Sequence, residues 1–220
     1  MNMTHEERMK RFAETDLYVV ITEKMCKGRS SEFVLEECLK AGVKLVQFRE
    51  KEGDDHKKYK KAVQFRKITN EYGALLIIDD RVDLALMVNA DGVHLGQGDL
   101  PIPETRKLAP NLIIGASTHS LEQALKAQEE GASYVNIGPL FPTQTKETSV
   151  PPLGVAALEK IVPYLKIPFT CMGGIKSENI DEVLKRGARH IAVVTAVTEA
   201  EDIQKAVRQL REKIITYRNR

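Results

Sequence analysis

The chain has 220 residues, of which 42% are hydrophobic and 29% are charged, and its formal net charge is +2. These values are ordinary for a globular domain with a full core, and so small a charge does not favour a nucleic-acid-binding protein. No apolar run approaches the roughly 20 residues of a membrane span, and residues 1–14 lack the apolar region of a secretory signal. The three cysteines have no Cys-x-x-Cys spacing, which disfavours a zinc site and a disulfide framework. We therefore expect a cytoplasmic protein with free thiols and with neither nucleic acid nor a membrane as a partner.

Eight short apolar runs alternate with longer amphipathic runs along the chain. Most of the short runs are apolar throughout, which is typical of parallel strands that are buried on both faces. The predicted strands are Leu17–Thr22, Leu45–Arg49, Leu75–Asp79, Gly92–Leu95, Leu112–Ala116, Tyr134–Ile137, Pro168–Met172 and His190–Thr195.

The segments between these strands carry helix signals. Residues 120–123 and 198–201 have the pattern of capping boxes, in which side chains satisfy the free N–H groups at a helix start. Gly131 and Gly187 suit helix C-termini, where a left-handed backbone is needed. The last predicted helix runs from Glu201 to Tyr217.

Eight βα units in so short a chain predict an α/β fold, a single (β/α)₈ TIM barrel, in preference to an open doubly wound sheet. We expect residues 1–220 to form one domain, with residues 1–15 as a helical N-terminal extension. The longest connection, Pro139–Leu153, contains three prolines and a polar middle. Its composition predicts a functional loop.

Polar residues or glycines follow seven of the eight predicted strands. The active site of a TIM barrel is formed at the carboxyl ends of the strands, so these segments would meet at one rim. They are Gln47–Lys51, Asp79-Asp80, Gln97–Asp99, Ser117–His119, Thr143–Lys146, Gly173-Gly174 and Val194-Thr195.

Each segment taken alone also has a purely structural interpretation. Arg49 and Lys51 could pair with Glu50 at the surface, Asp79 or Asp80 could cap a helix, Asp99 and the glycine pair could form turns, and His119 could be structural. The occurrence of all of them on one rim favours a binding site.

The residue types at this rim suit phosphorylated ligands and a divalent cation. Arginine and lysine bind phosphate oxygens, and Gly174 allows backbone N–H groups to approach a phosphate. Two carboxylates, Asp80 and Asp99, suit Mg²⁺, which takes its other ligands from phosphates and water. Two separate anion-binding regions predict two phosphorylated small-molecule substrates.

Several of these segments, in this order, resemble those of one known family. Gln47–Lys51 is similar to its Gln-Leu-Arg-Glu-Lys motif, and residues 82–86 and 90–97 match its central block. Residues 138–146, Gly-Pro-Leu-Phe-Pro-Thr-Gln-Thr-Lys, form the most specific segment, and Gly173-Gly-Ile175 follows at the expected place. On these motifs the chain resembles thiamine-phosphate synthase from about Leu17 to Ile203.

The resemblance implies a Mg²⁺-dependent transferase of thiamine biosynthesis. Such an enzyme joins 4-amino-2-methyl-5-(diphosphooxymethyl)pyrimidine to thiazole ethyl phosphate, or to its carboxylated form, through a dissociative pyrimidine cation, giving thiamine phosphate and pyrophosphate. The catalytic residues would be Arg49, Lys51, Ser117 and Lys146. The pyrimidine diphosphate would be bound by Gln47, Phe48, Arg49, Glu50, Lys51, Asp79, Ser117 and Lys146, Mg²⁺ by Asp80 and Asp99, and the thiazole phosphate by Thr143, Thr145, Gly174, Val194 and Thr195.

One departure from the family pattern stands beside the diphosphate site. Asp79 occupies a position at which the family usually has asparagine, and it would pair with a cation, contact the metal or stay protonated. Two other functions remain open, a thiazole tautomerase of the same barrel family with His119 as general acid or base, and a non-catalytic regulator that binds a phosphorylated ligand. The sequence leaves the oligomeric state open, a homo-oligomer included.

Overall fold

Eight parallel strands pair in sequence order, and pairing of the last with the first closes them into a barrel. A computed structural model of the chain describes residues 3–143 and 150–219. The predicted (β/α)₈ barrel is confirmed, and the predicted strands differ from the observed ones only at their ends. The strands, β1 to β8, are Leu17–Ile21, Leu45–Phe48, Leu75–Asp79, Gly92–Leu95, Ile113–Thr118, Tyr134–Ile137, Phe169–Cys171 and His190–Val193.

Helices surround the barrel within the described ranges. Short 3₁₀ helices cover Glu23–Met25 and Val162–Tyr164. The α-helices, α1 to α10, are His5–Ala13, Ser31–Lys40, Asp55–Glu71, Val82–Met87, Ile102–Leu108, Leu121–Glu129, Ala156–Ile161, Ile180–Leu184, Thr195–Thr198 and Ile203–Arg218.

Side-chain caps fix where several of these helices begin. The Ser120 side chain accepts a hydrogen bond from Gln123 N, as the capping-box pattern predicts for α6. The prediction for residues 198–201 is wrong, because Thr198 is the last residue of the short helix α9. Asp202 caps the last helix instead, accepting from Lys205 N, so α10 begins at Ile203.

Alternation along each strand divides the core into two parts. In β2, Leu45 points into the barrel, whereas Val46 and Phe48 belong to the layer between the barrel and the helices. The same alternation sends Leu75 and Ile77 of β3 inward. Side chains of this inward set fill the barrel as a packed core.

Helix α1 closes the amino end of the barrel. Its Phe12 is fully buried in the interior cluster and stacks on Tyr134 and on His190, with ring centroids 4.9 Å apart in both cases. Arg8, on the same helix, lies 3.8 Å from Asp91 and donates to Asn111 O; both residues precede strands. With this end covered, the carboxyl ends of the strands are the open mouth of the barrel.

Candidate active site

A cavity opens at the carboxyl ends of the strands, where the sequence predicts the site. All eight strands, or the segments that directly follow them, contribute residues to its wall, from Thr22 after β1 to Thr195 after β8. The predicted site residues along its wall are Gln47, Arg49, Asp79, Ser117, Thr143, Gly174, Val194 and Thr195.

A cluster of cations and carboxylates lies where β2 and β3 end. Arg49 Nε is 3.5 Å and Lys51 Nζ 3.0 Å from Asp79 Oδ2, and Lys51 also contacts Asp80. Arg49 and Lys51 therefore face the carboxylates of β3, not a surface pair with Glu50. Lys51 links Asp79, on the cavity wall, to Asp80 beside it.

Burial makes Asp79 a poorly accommodated anion. Desolvation, reinforced by the neighbouring Asp80 charge, raises the pKa of Asp79 to about 6, although Lys51 and Arg49 favour its ionised form. Of the three roles expected for this departure from the family pattern, pairing with cations is the one visible in the structure.

The backbone at Asp80 has an unusual conformation, which sets the direction of its side chain. Its φ of +57° lies in the left-handed region, which aspartate tolerates better than most residues. Its N–H donates to His94 O at 2.8 Å. The N-cap of α4 is Arg81, without a side-chain capping bond, so neither Asp79 nor Asp80 caps that helix.

Asp80 and Asp99 come together as the sequence predicts. Burial opposes ionisation of Asp80, but hydrogen bonds from Lys51 and Asp99 outweigh it and lower its pKa. Burial and the contact with Asp80 raise the pKa of Asp99. The two carboxyl groups are thus in hydrogen-bond contact, and Asp99 Oδ2 also accepts from Gly96 N at 2.6 Å, as expected for a turn residue.

This pair of carboxylates fits a hard divalent cation. Such an ion would find oxygen ligands on both side chains. Within residues 3–143 and 150–219, no three or more His, Cys, Asp or Glu side chains form a group that could hold a metal. A Mg²⁺ ion at Asp80 and Asp99 would therefore depend on phosphate and water oxygens for the rest of its shell.

The glycine pair after β7 forms a tight turn on another part of the wall. Gly173 and Gly174 have φ angles of +98° and +61°. A Cβ at Gly174 would lie 2.5 Å from Pro142 O, so only glycine fits there. The structure places Thr143 and Thr195 on the wall of the same cavity, whereas Thr145 and Lys146 lie outside the described residues.

Two residues of the predicted diphosphate segment point away from the cavity. Phe48 packs edge-on against Phe65, with ring centroids 4.9 Å apart. Glu50 accepts a hydrogen bond from Glu23 N at 2.6 Å. The strand alternation that brings Gln47 and Arg49 inward turns both of these side chains outward.

Sequence reasoning missed several residues of the wall, among them His94 and Lys176. His94 lies inside β4, and its ring nitrogens contact Tyr134 Oη and Ser117 Oγ, each at 2.9 Å. A histidine at an inward position of an apolar strand was the available signal. His119 also lines the cavity, and its Nδ1 lies 2.5 Å from Gly138 O, consistent with a structural role.

The chain has relatives among known proteins. A family model described as thiamine monophosphate synthase matches residues 17–197. The chain belongs to this family. A thiamine-phosphate synthase of Pyrococcus horikoshii is 45% identical over 212 residues, which cover 96% of this chain and 98% of the relative. One from Caldicellulosiruptor saccharolyticus is 43% identical and covers 96% of each chain.

The solved structures agree with this assignment. A thiamine phosphate pyrophosphorylase from Pyrococcus furiosus superimposes with a TM-score of 0.86 at 41% identity, covering 92% of this chain and 96% of that one. The predicted family and the predicted thiamine-phosphate-forming transferase are confirmed by these relatives. Among the described residues, no helix has both the length and the apolar character needed to span a membrane.

Proposed function

We propose that this chain joins the pyrimidine methyl diphosphate to the thiazole phosphate, releasing pyrophosphate and thiamine phosphate, and that it does so in the cytoplasm with Mg²⁺. The observation that carries the proposal is one cavity with two regions suited to anions. Arg49, with Lys51 beside it, supplies positive charge on one part of the wall. The Gly173-Gly174 turn and Thr195 supply uncharged donors on another.

The first region would bind the leaving group. Arg49 and Lys51 neutralise diphosphate charge, and Ser117 adds a hydroxyl donor from the end of β5. Mg²⁺ held by Asp80 and Asp99 would supply further neutralisation of the same charge. As the carbon–oxygen bond breaks, its electron pair leaves with pyrophosphate and a cation remains on the electron-rich pyrimidine.

The second region would position the nucleophile. Gly174, Val194, Thr195 and Thr143 would hold the phosphate of the thiazole, so that its ring nitrogen faces the pyrimidine carbon. The nitrogen lone pair then forms the new carbon–nitrogen bond. Holding both reactants in one cavity makes this step effectively intramolecular.

A protein nucleophile is unnecessary in this scheme, and the thiols agree with it. Cys26, Cys38 and Cys171 are buried and free, and none lines the cavity. Burial raises the pKa of Cys26 to about 11 and raises that of the other two as well. Thiols of this kind are poor nucleophiles at neutral pH.

The direct experiment is incubation with both substrates and Mg²⁺, followed by detection of thiamine phosphate and pyrophosphate. A tautomerase would convert a thiazole phosphate isomer without the pyrimidine diphosphate, and a regulator would release no pyrophosphate. The wild-type chain and Asp80→Ala should be compared for thiamine phosphate formation, for conversion of the thiazole phosphate isomer and for pyrophosphate release. Product that still forms when the pyrimidine diphosphate is omitted would contradict the proposal.

A further inference from the structure

A continuous chain of buried hydrogen bonds runs under the floor of the cavity. Gln47 Nε2 donates to Tyr18 Oη at 2.7 Å, and Tyr18 Oη lies 3.1 Å from Tyr134 Oη. Tyr134 Oη lies 2.9 Å from His94 Nδ1, and His94 Nε2 lies 2.9 Å from Ser117 Oγ. These five side chains, here called the floor network, connect two strands that are not neighbours in the barrel, β2 and β5.

The floor network has a direction that its first member favours. The amide nitrogen of Gln47 has only hydrogens to offer, so Tyr18 Oη must accept from it. Tyr18 then gives its single proton to Tyr134, which gives its own to His94 Nδ1. His94 Nδ1 is thereby an acceptor, and in neutral imidazole the proton resides on Nε2. Nε2 donates to Ser117 Oγ.

The opposite direction leaves a proton without a partner. If Ser117 donated to His94, every later donor would reverse, and Tyr18 Oη would accept from both Gln47 and Tyr134. Its own proton would then have no acceptor within the network, although Tyr18 is 1% exposed. An unmet buried donor costs roughly 1–3 kcal/mol, so the forward direction is favoured. Burial also raises the pKa of Tyr18 and of Tyr134, which keeps both phenols protonated.

The barrel is shaped to hold this network. Tyr134 crosses the interior directly over Gly115 of β5, where a Cβ would lie 2.2 Å from the phenol ring. Phe12 stacks on the same ring, with 4.9 Å between the ring centroids. The Tyr134 hydroxyl therefore has little freedom to leave His94.

We propose that the floor network positions Ser117 as an obligate donor toward the cavity, with Tyr18, Tyr134 and His94 as positioning residues for diphosphate binding. Since Ser117 Oγ accepts from His94, its own proton is left to point at the ligand. A donor at this place suits a phosphate oxygen, which has lone pairs and no proton to offer. The inference rests on the proposed function, in which Ser117 contacts the diphosphate.

The first test reads the tautomer of His94 without any ligand. Two-bond ¹⁵N–¹H spectra of the ¹⁵N-labelled wild-type chain, with His94→Gln to assign the signal, should show the proton on Nε2. In Tyr134→Phe, which removes only one hydroxyl, the signal should shift toward a mixture of tautomers. A proton on Nδ1 in the wild-type chain would overturn the network's direction.

The second test measures binding of inorganic pyrophosphate with Mg²⁺ by calorimetry. Tyr134→Phe should weaken binding about tenfold or more, the factor expected for a hydrogen bond to a charged group. Ser117→Ala should weaken it at least as much, and the double variant should bind no more weakly than Ser117→Ala. Tyr72→Phe, which removes the same hydroxyl outside the cavity, should bind as the wild type does.

Two results separate the network from the proposed function. Additive losses in the double variant would show that Tyr134 does not act through Ser117, and would overturn the network proposal alone. Absence of pyrophosphate binding in the wild-type chain would overturn the proposed function, and the tautomer measurement would still decide the direction of the network.

Discussion

Replacing Asp79 by asparagine should tighten diphosphate binding. The Asp79 carboxylate shares Lys51 with any phosphate bound there, at 3.0 Å from Nζ, and it lies 3.5 Å from Arg49 Nε. At neutral pH it is mostly ionised, since its pKa is about 6. Asp79→Asn removes that charge and leaves both cations to the ligand.

The size of the effect follows from the distances. Two anions that share one ammonium group lie about 6 Å apart and, at an effective permittivity of about 20, repel by roughly 3 kcal/mol. Lys51 and Arg49 cancel part of this repulsion. A net gain of about 1–2 kcal/mol remains, which corresponds to roughly fivefold to thirtyfold tighter binding.

Calorimetric titration of inorganic pyrophosphate with Mg²⁺ would measure it. Asp83→Asn is the matched control, because Asp83 is exposed, pairs with Arg81 and does not line the cavity. The control should bind as the wild type does. Unchanged or weaker binding by Asp79→Asn, with the fold intact by thermal melting, would refute the electrostatic reasoning.

Three further predictions concern the two anion regions, the metal and His190 at the amino end of the barrel. Arg49→Ala should weaken pyrophosphate binding by roughly 1.5–3 kcal/mol, and Thr195→Val should weaken mainly the binding of the thiazole phosphate. Each ligand is titrated separately, and equal effects of both variants on both ligands would contradict two distinct regions. Asp80→Ala and Asp99→Ala should each abolish most turnover, and EDTA should inhibit the wild-type enzyme. Full activity of both variants, and of the wild-type enzyme with EDTA, would reject the metal assignment. Burial lowers the pKa of His190 from 6.5 to about 4, so the unfolded chain binds the proton more readily and the free energy of unfolding should fall as pH drops through this window. His190→Gln should remove up to roughly 3 kcal/mol of that loss between neutral pH and about pH 4 in urea titrations, and an unchanged pH slope would count against the buried neutral ring.

The fold and much of the wall of the cavity could be predicted because they depend on local patterns. Short apolar runs, most of them continuous, predicted all eight strands, and strand parity explains why Gln47 and Arg49 face inward while Phe48 and Glu50 do not. This parity can be read from the sequence, whereas the family motif includes residues of both faces. The error at Thr198 has a different cause, since two helix starts, α9 and α10, follow β8 within ten residues and Asp202 provides the better cap.

The floor network could not be predicted from the sequence. Tyr134 and His94 are 40 residues apart along the chain, and Tyr18 and Tyr134 are 116 apart. Their contact depends on barrel closure and on the missing side chain at Gly115. The left-handed backbone of Asp80 is likewise invisible in the sequence, although it decides where that carboxylate points.

The most direct test of the central claim is a single-turnover experiment with the pyrimidine diphosphate, the thiazole phosphate and Mg²⁺. We predict that thiamine phosphate and pyrophosphate appear in equal amounts, that omission of either substrate abolishes thiamine phosphate, and that Asp80→Ala forms neither product at a comparable rate. Pyrophosphate release without thiamine phosphate, or conversion of the thiazole phosphate alone, would contradict the assignment of one cavity to both substrates.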